Sequence, residues 1–121
     1  MGYGTEASGD KSTALGYSTT AKGESSTSMG DNTAALGMSS IAMGYSTSAE
    51  GKYSVSMGDS TSALGESSIA SGYKSTAKSK YSSAFGLQTS ARNLNASIWV
   101  PASVAFLRAL HMTKRKYNPN P

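Results

Sequence analysis

The 121-residue chain contains no cysteine, one histidine, and no proline before Pro101. Without cysteine there are no disulfides and no thiolate metal sites. Without proline, every backbone N–H of the first hundred residues remains free to enter a hydrogen-bonded ladder. The single histidine, His111, lies far from most of the serines, so no Ser-His-Asp arrangement can be built on the body of the chain. The glycines never lead into the Gly-Lys-Ser/Thr ending of a phosphate-cradling loop, and Asp10, Asp31 and Asp59 do not form the glycine-aspartate calcium pattern of nonapeptide repeats. These aspartates read as turn residues. No catalytic, cofactor-binding or metal-binding residues are expected.

Long apolar runs are also missing. The most apolar stretch, around Ile98 to Leu110, is interrupted by Arg108 and His111 and is too short and charged for a membrane span. Met1 leads straight into the body of the chain, with neither the charged nor the apolar region of a signal peptide, so the start reads as a fragment boundary. The net charge of +4 is misleading, because residues 1–92 carry seven basic and seven acidic side chains. The excess comes from Arg108, Lys114, Arg115 and Lys116. A neutral body argues against a nucleic-acid partner.

What the chain does have is glycine at every seventh position: Gly2, Gly9, Gly16, Gly23, Gly30, Gly37, Gly44, Gly51, Gly58, Gly65 and Gly72, then Ser79 as a lapse, then Gly86. Self-similarity at a fixed short period marks a repeat architecture. Three residues after each glycine stands only Ser or Thr, and two residues before it only Ala or Ser. The residue just before glycine is apolar on a 14-residue beat (Leu15, Met29, Met43, Met57, Phe85, with Ser71 as a gap), whereas the intervening beat reads Lys22, Leu36, Glu50, Leu64, Lys78. The unit is therefore 14 residues, with two short segments and two turns. Strict column identity sets it apart from a Gly/Ser-rich linker, which needs composition but not register.

Helix is disfavoured, since an interior glycine costs roughly 1 kcal/mol. The segments read as strands of about four residues, such as Ser12–Leu15 and Ser40–Met43, with glycines at the corners. Alternate side chains of a strand face opposite sides, so the two small columns share one face and the variable columns the other. The simplest arrangement is a narrow coil of two back-to-back sheets, small residues inside and the Leu/Met stripe outside. The reverse assignment, with the stripe as the interior, remains open at this point. An interior of Ala and Ser buries little apolar surface, and an outward stripe is normally covered. A homo-oligomer is expected, with Leu15, Met29, Met43, Met57 and Phe85 at subunit contacts. Tyr17, Tyr45 and Tyr73, spaced 28 residues apart, are candidate ligand-facing aromatics; packing at turn edges is the alternative.

The units 9-GDKSTALGYSTTAKGESSTSMG-30 and 37-GMSSIAMGYSTSAEGKYSVSMG-58 resemble the head repeat of trimeric autotransporter adhesins, the YadA-like head. One half of that pattern, Ser-x-Ala-apolar-Gly, matches Ser12–Gly16 and Ser40–Gly44, with Ser71 at the apolar place of Ser68–Gly72. The other half matches Gly16–Gly23, Gly44–Gly51 and Gly72–Ser79. The resemblance covers roughly residues 2 to 91. It implies an all-β, left-handed parallel β-roll (β-solenoid) of 14-residue coils, assembled as a homotrimer. It further implies display on the bacterial cell surface and attachment to host extracellular-matrix or cell-surface proteins. Membrane anchoring would lie in regions absent from this chain.

Similar repeats also occur in phage tail fibres, which leaves a phage fibre or structural spacer as an alternative. A second alternative, an ice-binding solenoid, rests on Thr19, Thr33, Thr47 and Thr61 and requires that column to face outward. Two regions are expected: a repetitive head over 1–92 and a non-repeat tail over 93–121. The tail, with a helix from Pro101 to about Lys116, reads as a cap or neck over the open end of the roll. A membrane-surface helix or a truncated terminus are the other readings. Asn95-Ala96-Ser97 is a glycosylation sequon by pattern.

Overall fold

The computed structural model describes residues 1–99. The chain winds as a parallel β-solenoid of about seven coils, each about 14 residues long. Each coil contributes one longer and one shorter strand. The longer ones are β1 (Gly2–Tyr3), β3 (Thr13–Tyr17), β5 (Thr27–Asp31), β7 (Ile41–Tyr45), β9 (Val55–Asp59), β11 (Ile69–Tyr73), β13 (Ser83–Leu87) and β15 (Ser97–Trp99). The shorter ones are β2 (Glu6–Ala7), β4 (Thr20–Ala21), β6 (Ala34–Ala35), β8 (Ser48–Ala49), β10 (Ser62–Ala63), β12 (Thr76–Ala77) and β14 (Ser90–Ala91). The odd-numbered strands form an eight-stranded sheet and the even-numbered ones a seven-stranded sheet, in chain order and wholly parallel. Each strand residue pairs with the one 14 positions on in the next coil, as Ala42 does with Ser56 and Met43 with Met57. This register stacks each sequence column into a file along the axis.

The small columns are inside. Ala14, Ser28, Ala42, Ser56, Ala70 and Ala84 of the long strands are buried, as are Ala21, Ala35, Ala49, Ala63, Ala77 and Ala91 of the short ones. Threonines such as Thr19, Thr33, Thr47 and Thr61 close one corner of the interior, and serines such as Ser26, Ser40, Ser54 and Ser68 the other. The reverse assignment of faces is therefore excluded. So is a surface threonine file: Thr19, Thr33, Thr47 and Thr61 are 0–1% exposed. The ice-binding alternative, which needed those hydroxyls in water, is overturned.

The two glycine series differ in role, and this makes the unit 14 residues rather than seven. Gly16, Gly30, Gly44, Gly58, Gly72 and Gly86 are not corner residues; they lie within the long strands, at φ between 115° and 128°. The strands accordingly start one residue later than expected and run on through glycine. Gly23, Gly37, Gly51 and Gly65 instead open β-turns, as in Ser40 N–H to Gly37 O at 3.2 Å. Both series press against the next coil: a Cβ on Gly30 would stand 2.1 Å from Gly44 O, and one on Gly37 2.1 Å from Gly51 O.

The left-handed residue of each corner is the second after glycine. Thirteen non-glycine residues, from Lys11, Ser18 and Ser25 to Gln88 and Asn95, hold φ between 51° and 61° at a strict spacing of seven. Such φ values are uncommon outside glycine and asparagine. They are sustained here because the corner N–H groups bond to the preceding coil, as Asn32 does to Tyr17 O and Ser46 to Asp31 O, at 2.8 and 2.9 Å.

The solenoid continues past residue 92. Asn95 repeats the corner geometry, and β15 pairs with β13 through Ser97, Ile98 and Trp99. Ser79, in the glycine place, directs its Oγ to Arg92 O. The expected helix from Pro101 and the cap reading lie outside the described residues.

Candidate interaction surfaces

Two outward faces and two corner files result from this winding. The long-strand face carries two columns. The first stacks Leu15, Met29, Met43, Met57, Ser71, Phe85 and Trp99 in register. The second stacks Thr13, Thr27, Ile41, Val55, Ile69 and Ser83, which share the face by the period of two. Met29, Met43, Met57, Phe85, Ile41, Val55 and Ile69 are half-buried in the single chain, and Leu15 is exposed. The five stripe residues singled out in the sequence therefore lie on one face in a single file. Their neighbours Ile41, Val55 and Ile69 widen the apolar strip, and Trp99 extends it by stacking on Phe85 at a ring distance of 4.6 Å. Trp99 was legible as the residue 14 after Phe85, but the lost glycine at Asn93 hid the register.

The short-strand face is mixed. Lys22, Leu36, Glu50, Leu64, Lys78 and Arg92 stand along one exposed column, beside Thr20, Ala34, Ser48, Ser62, Thr76 and Ser90. One ion pair is formed among the described residues, Lys22 Nζ to Glu6 Oε1 at 3.8 Å, and both ends are exposed. Such a pair contributes little.

Tyr17, Tyr45 and Tyr73 end their strands at one corner and are 53%, 55% and 42% exposed. They do not form an unbroken file. Register places Asp31 between Tyr17 and Tyr45, and Asp59 between Tyr45 and Tyr73. Phenol and carboxylate alternate at about 4.8 Å, so successive tyrosines of this set stand roughly 10 Å apart. Tyr3 extends the file at its start, stacked on Tyr17 at 5.3 Å, and the Lys74 ammonium lies 5.2 Å from the Tyr73 ring. The aspartates, read from sequence as turn residues, belong to the same exposed edge. A Tyr/Asp alternation on the 14-residue beat was the available signal.

Among the described residues, no group of three or more His, Asp or Glu side chains is placed to hold a metal ion. No helix among them is long and apolar enough to cross a membrane. The family described as YadA head domain repeat (2 copies) matches residues 1–19, 7–33, 21–47, 35–61 and 63–89. No curated protein matches the chain.

Proposed function

The chain belongs to the YadA head domain repeat family, and from that premise we propose that it is the head of a trimeric surface adhesin. The family is an adhesin repeat rather than an enzyme family, and its heads are exposed on bacterial surfaces. On this reading three chains associate through their long-strand faces. Leu15, Met29, Met43, Met57 and Phe85 form the contact, joined by Ile41, Val55 and Ile69. The roll is left-handed, and the short-strand face and corners remain outward, where Tyr17, Tyr45 and Tyr73 meet host matrix or cell-surface protein.

The observation that carries the proposal is the two-column apolar strip on one face of a solenoid whose fully buried interior, between residues 14 and 91, holds only small side chains. A core of Ala, Ser and Thr offers little hydrophobic stabilisation at about 25 cal/mol per Å². Covering the strip supplies what the single coil stack lacks. Light scattering together with attachment assays on matrix proteins and host cells tests the reading. A β-rich trimer that attaches is expected. A folded monomer removes the trimer, and a trimer that attaches to no surface removes the adhesive role.

A further inference from the structure

The neutrality of residues 1–92 is the sum of two opposite regions. All seven acidic side chains fall between Glu6 and Glu66, with only Lys11, Lys22 and Lys52 among them. From residue 67 to 92 there are four cations, Lys74, Lys78, Lys80 and Arg92, and no acid; none follows to residue 121. The winding gathers these four. Lys74 stands at the corner where the chain turns onto the short-strand face, Lys78 just beyond β12, and Lys80 at the far corner. Arg92 follows β14 and is the register neighbour of Lys78, one coil on. All four are exposed. They make a strip across the face, at most about 20 Å from Lys74 to Lys80 by chain reach.

We infer that this strip is a binding site for a linear sulfated polysaccharide. Four cations without a facing carboxylate on their own coils focus a positive potential that attracts polyanions. The nearest acids lie one coil below at each corner, Glu66 below Lys80 and Asp59 below Tyr73 beside Lys74. Between the cations the face presents Thr76 and Ser90, short hydroxyl side chains suited to sugar hydroxyls. The nearest exposed rings, Tyr73 beside Lys74 and Tyr81 beside Lys80, stand at opposite corners rather than side by side as a platform for successive nucleobases. Leu64, one coil below Lys78, is a single apolar neighbour on that column, too little to enter a bilayer. A chain-like anion fits a strip one or two coils deep better than either of those partners. The site faces outward when the long-strand faces are joined, and a trimer presents it three times, which multiplies a weak contact.

This inference deepens the adhesive reading and rests on it, but its test is separate. The full chain is titrated with heparin, with desulfated heparin, with anionic lipid vesicles and with duplex DNA, at low and high salt. Heparin is expected to bind and to be released by salt. Replacing Lys74→Ser, Lys78→Gln and Lys80→Gln weakens it at least about tenfold, a difference of one decade in affinity. The charge-matched control, Lys11→Ser, Lys22→Gln and Lys52→Gln, changes it less than about twofold, with circular dichroism unchanged in both.

Absence of heparin binding overturns the inference. So does equal weakening by the two triples, or binding of vesicles, DNA or desulfated heparin as tight as that of heparin. Host attachment that persists without heparin binding sinks the site and leaves the adhesive reading standing. Heparin binding without any host attachment does the reverse.

Discussion

Ser28 Oγ lies 2.6 Å from Thr33 Oγ1 in the sealed interior, and the same bond recurs one 28-residue echo later between Ser56 and Thr61 at 2.7 Å. In the coils where the place of Ser28 is taken by alanine, the threonine five residues on loses its partner. Thr19 follows Ala14, Thr47 follows Ala42 and Thr89 follows Ala84, and each Oγ1 is buried without a hydrogen bond. The alternation of Ala and Ser in this column thus decides whether these interior threonine hydroxyls are satisfied.

Ser28→Ala therefore strands Thr33 and is expected to cost about 1–2 kcal/mol, the penalty of an unpaired buried hydroxyl. The reciprocal change, Ala42→Ser, gives Thr47 the partner it lacks and should raise the urea midpoint. Both are read from denaturant unfolding followed by circular dichroism. Equal midpoints for Ser28→Ala and the parent chain would show that the interior bond contributes nothing.

Much of this architecture was legible because a parallel stack with a 14-residue register turns sequence columns directly into spatial files. The buried Ala, Ser and Thr columns and the outward Leu/Met stripe could be read from side-chain size and the period of two. The corners could not. Glycine was the visible signal, yet the positive φ sits on Ser18, Asn32, Tyr53 and Lys74, and those side chains carry no common chemistry. Their conformation is imposed by bonds to the neighbouring coil. The candidate surfaces were legible as stripes but not as edges, since the aspartates between Tyr17, Tyr45 and Tyr73 were assigned to turns.

Gly37→Ala is expected to be far more damaging than its exposed surroundings suggest. Its Cβ would meet Gly51 O at 2.1 Å and the adjoining carbon at 2.5 Å, both of them backbone. Relief requires the coils to separate, breaking bonds such as Gly37 N–H to Ala49 O. A loss of about 3 kcal/mol or more, or failure to fold, is expected. Ser39→Gly, at φ 52° in the same turn, should stabilise or leave stability unchanged. The two variants compared by thermal unfolding separate close packing from conformational preference.

Charge on the long-strand face tests the proposed subunit contact. Met43 and Met57 are register partners in the centre of the strip, and their side chains point away from the solenoid interior. Met43→Asp with Met57→Asp is expected to yield monomers by light scattering, because two carboxylates per chain would be desolvated and crowded at the contact. The corresponding change on the opposite face, Leu36→Asp with Leu64→Asp, should leave the assembly intact. If both pairs behave alike, the long-strand face is not the contact.

The alternating Tyr/Asp corner makes a separate prediction about attachment. Tyr17, Tyr45 and Tyr73 supply exposed aromatic area at fixed positions on a rigid ladder, and aromatic residues of this kind dominate binding energy at interfaces. Replacing all three by serine is expected to lower attachment to matrix protein or cells by tenfold or more, about 1.4 kcal/mol, with no change in mass or circular dichroism. Asp31→Asn with Asp59→Asn leaves the rings in place and removes the two charges between them. If attachment then changes with salt dependence but not with the tyrosines, the carboxylates carry recognition and the rings merely pack the edge. If neither set matters, binding resides on another face, and the lysine strip of the short-strand face is the next place to look.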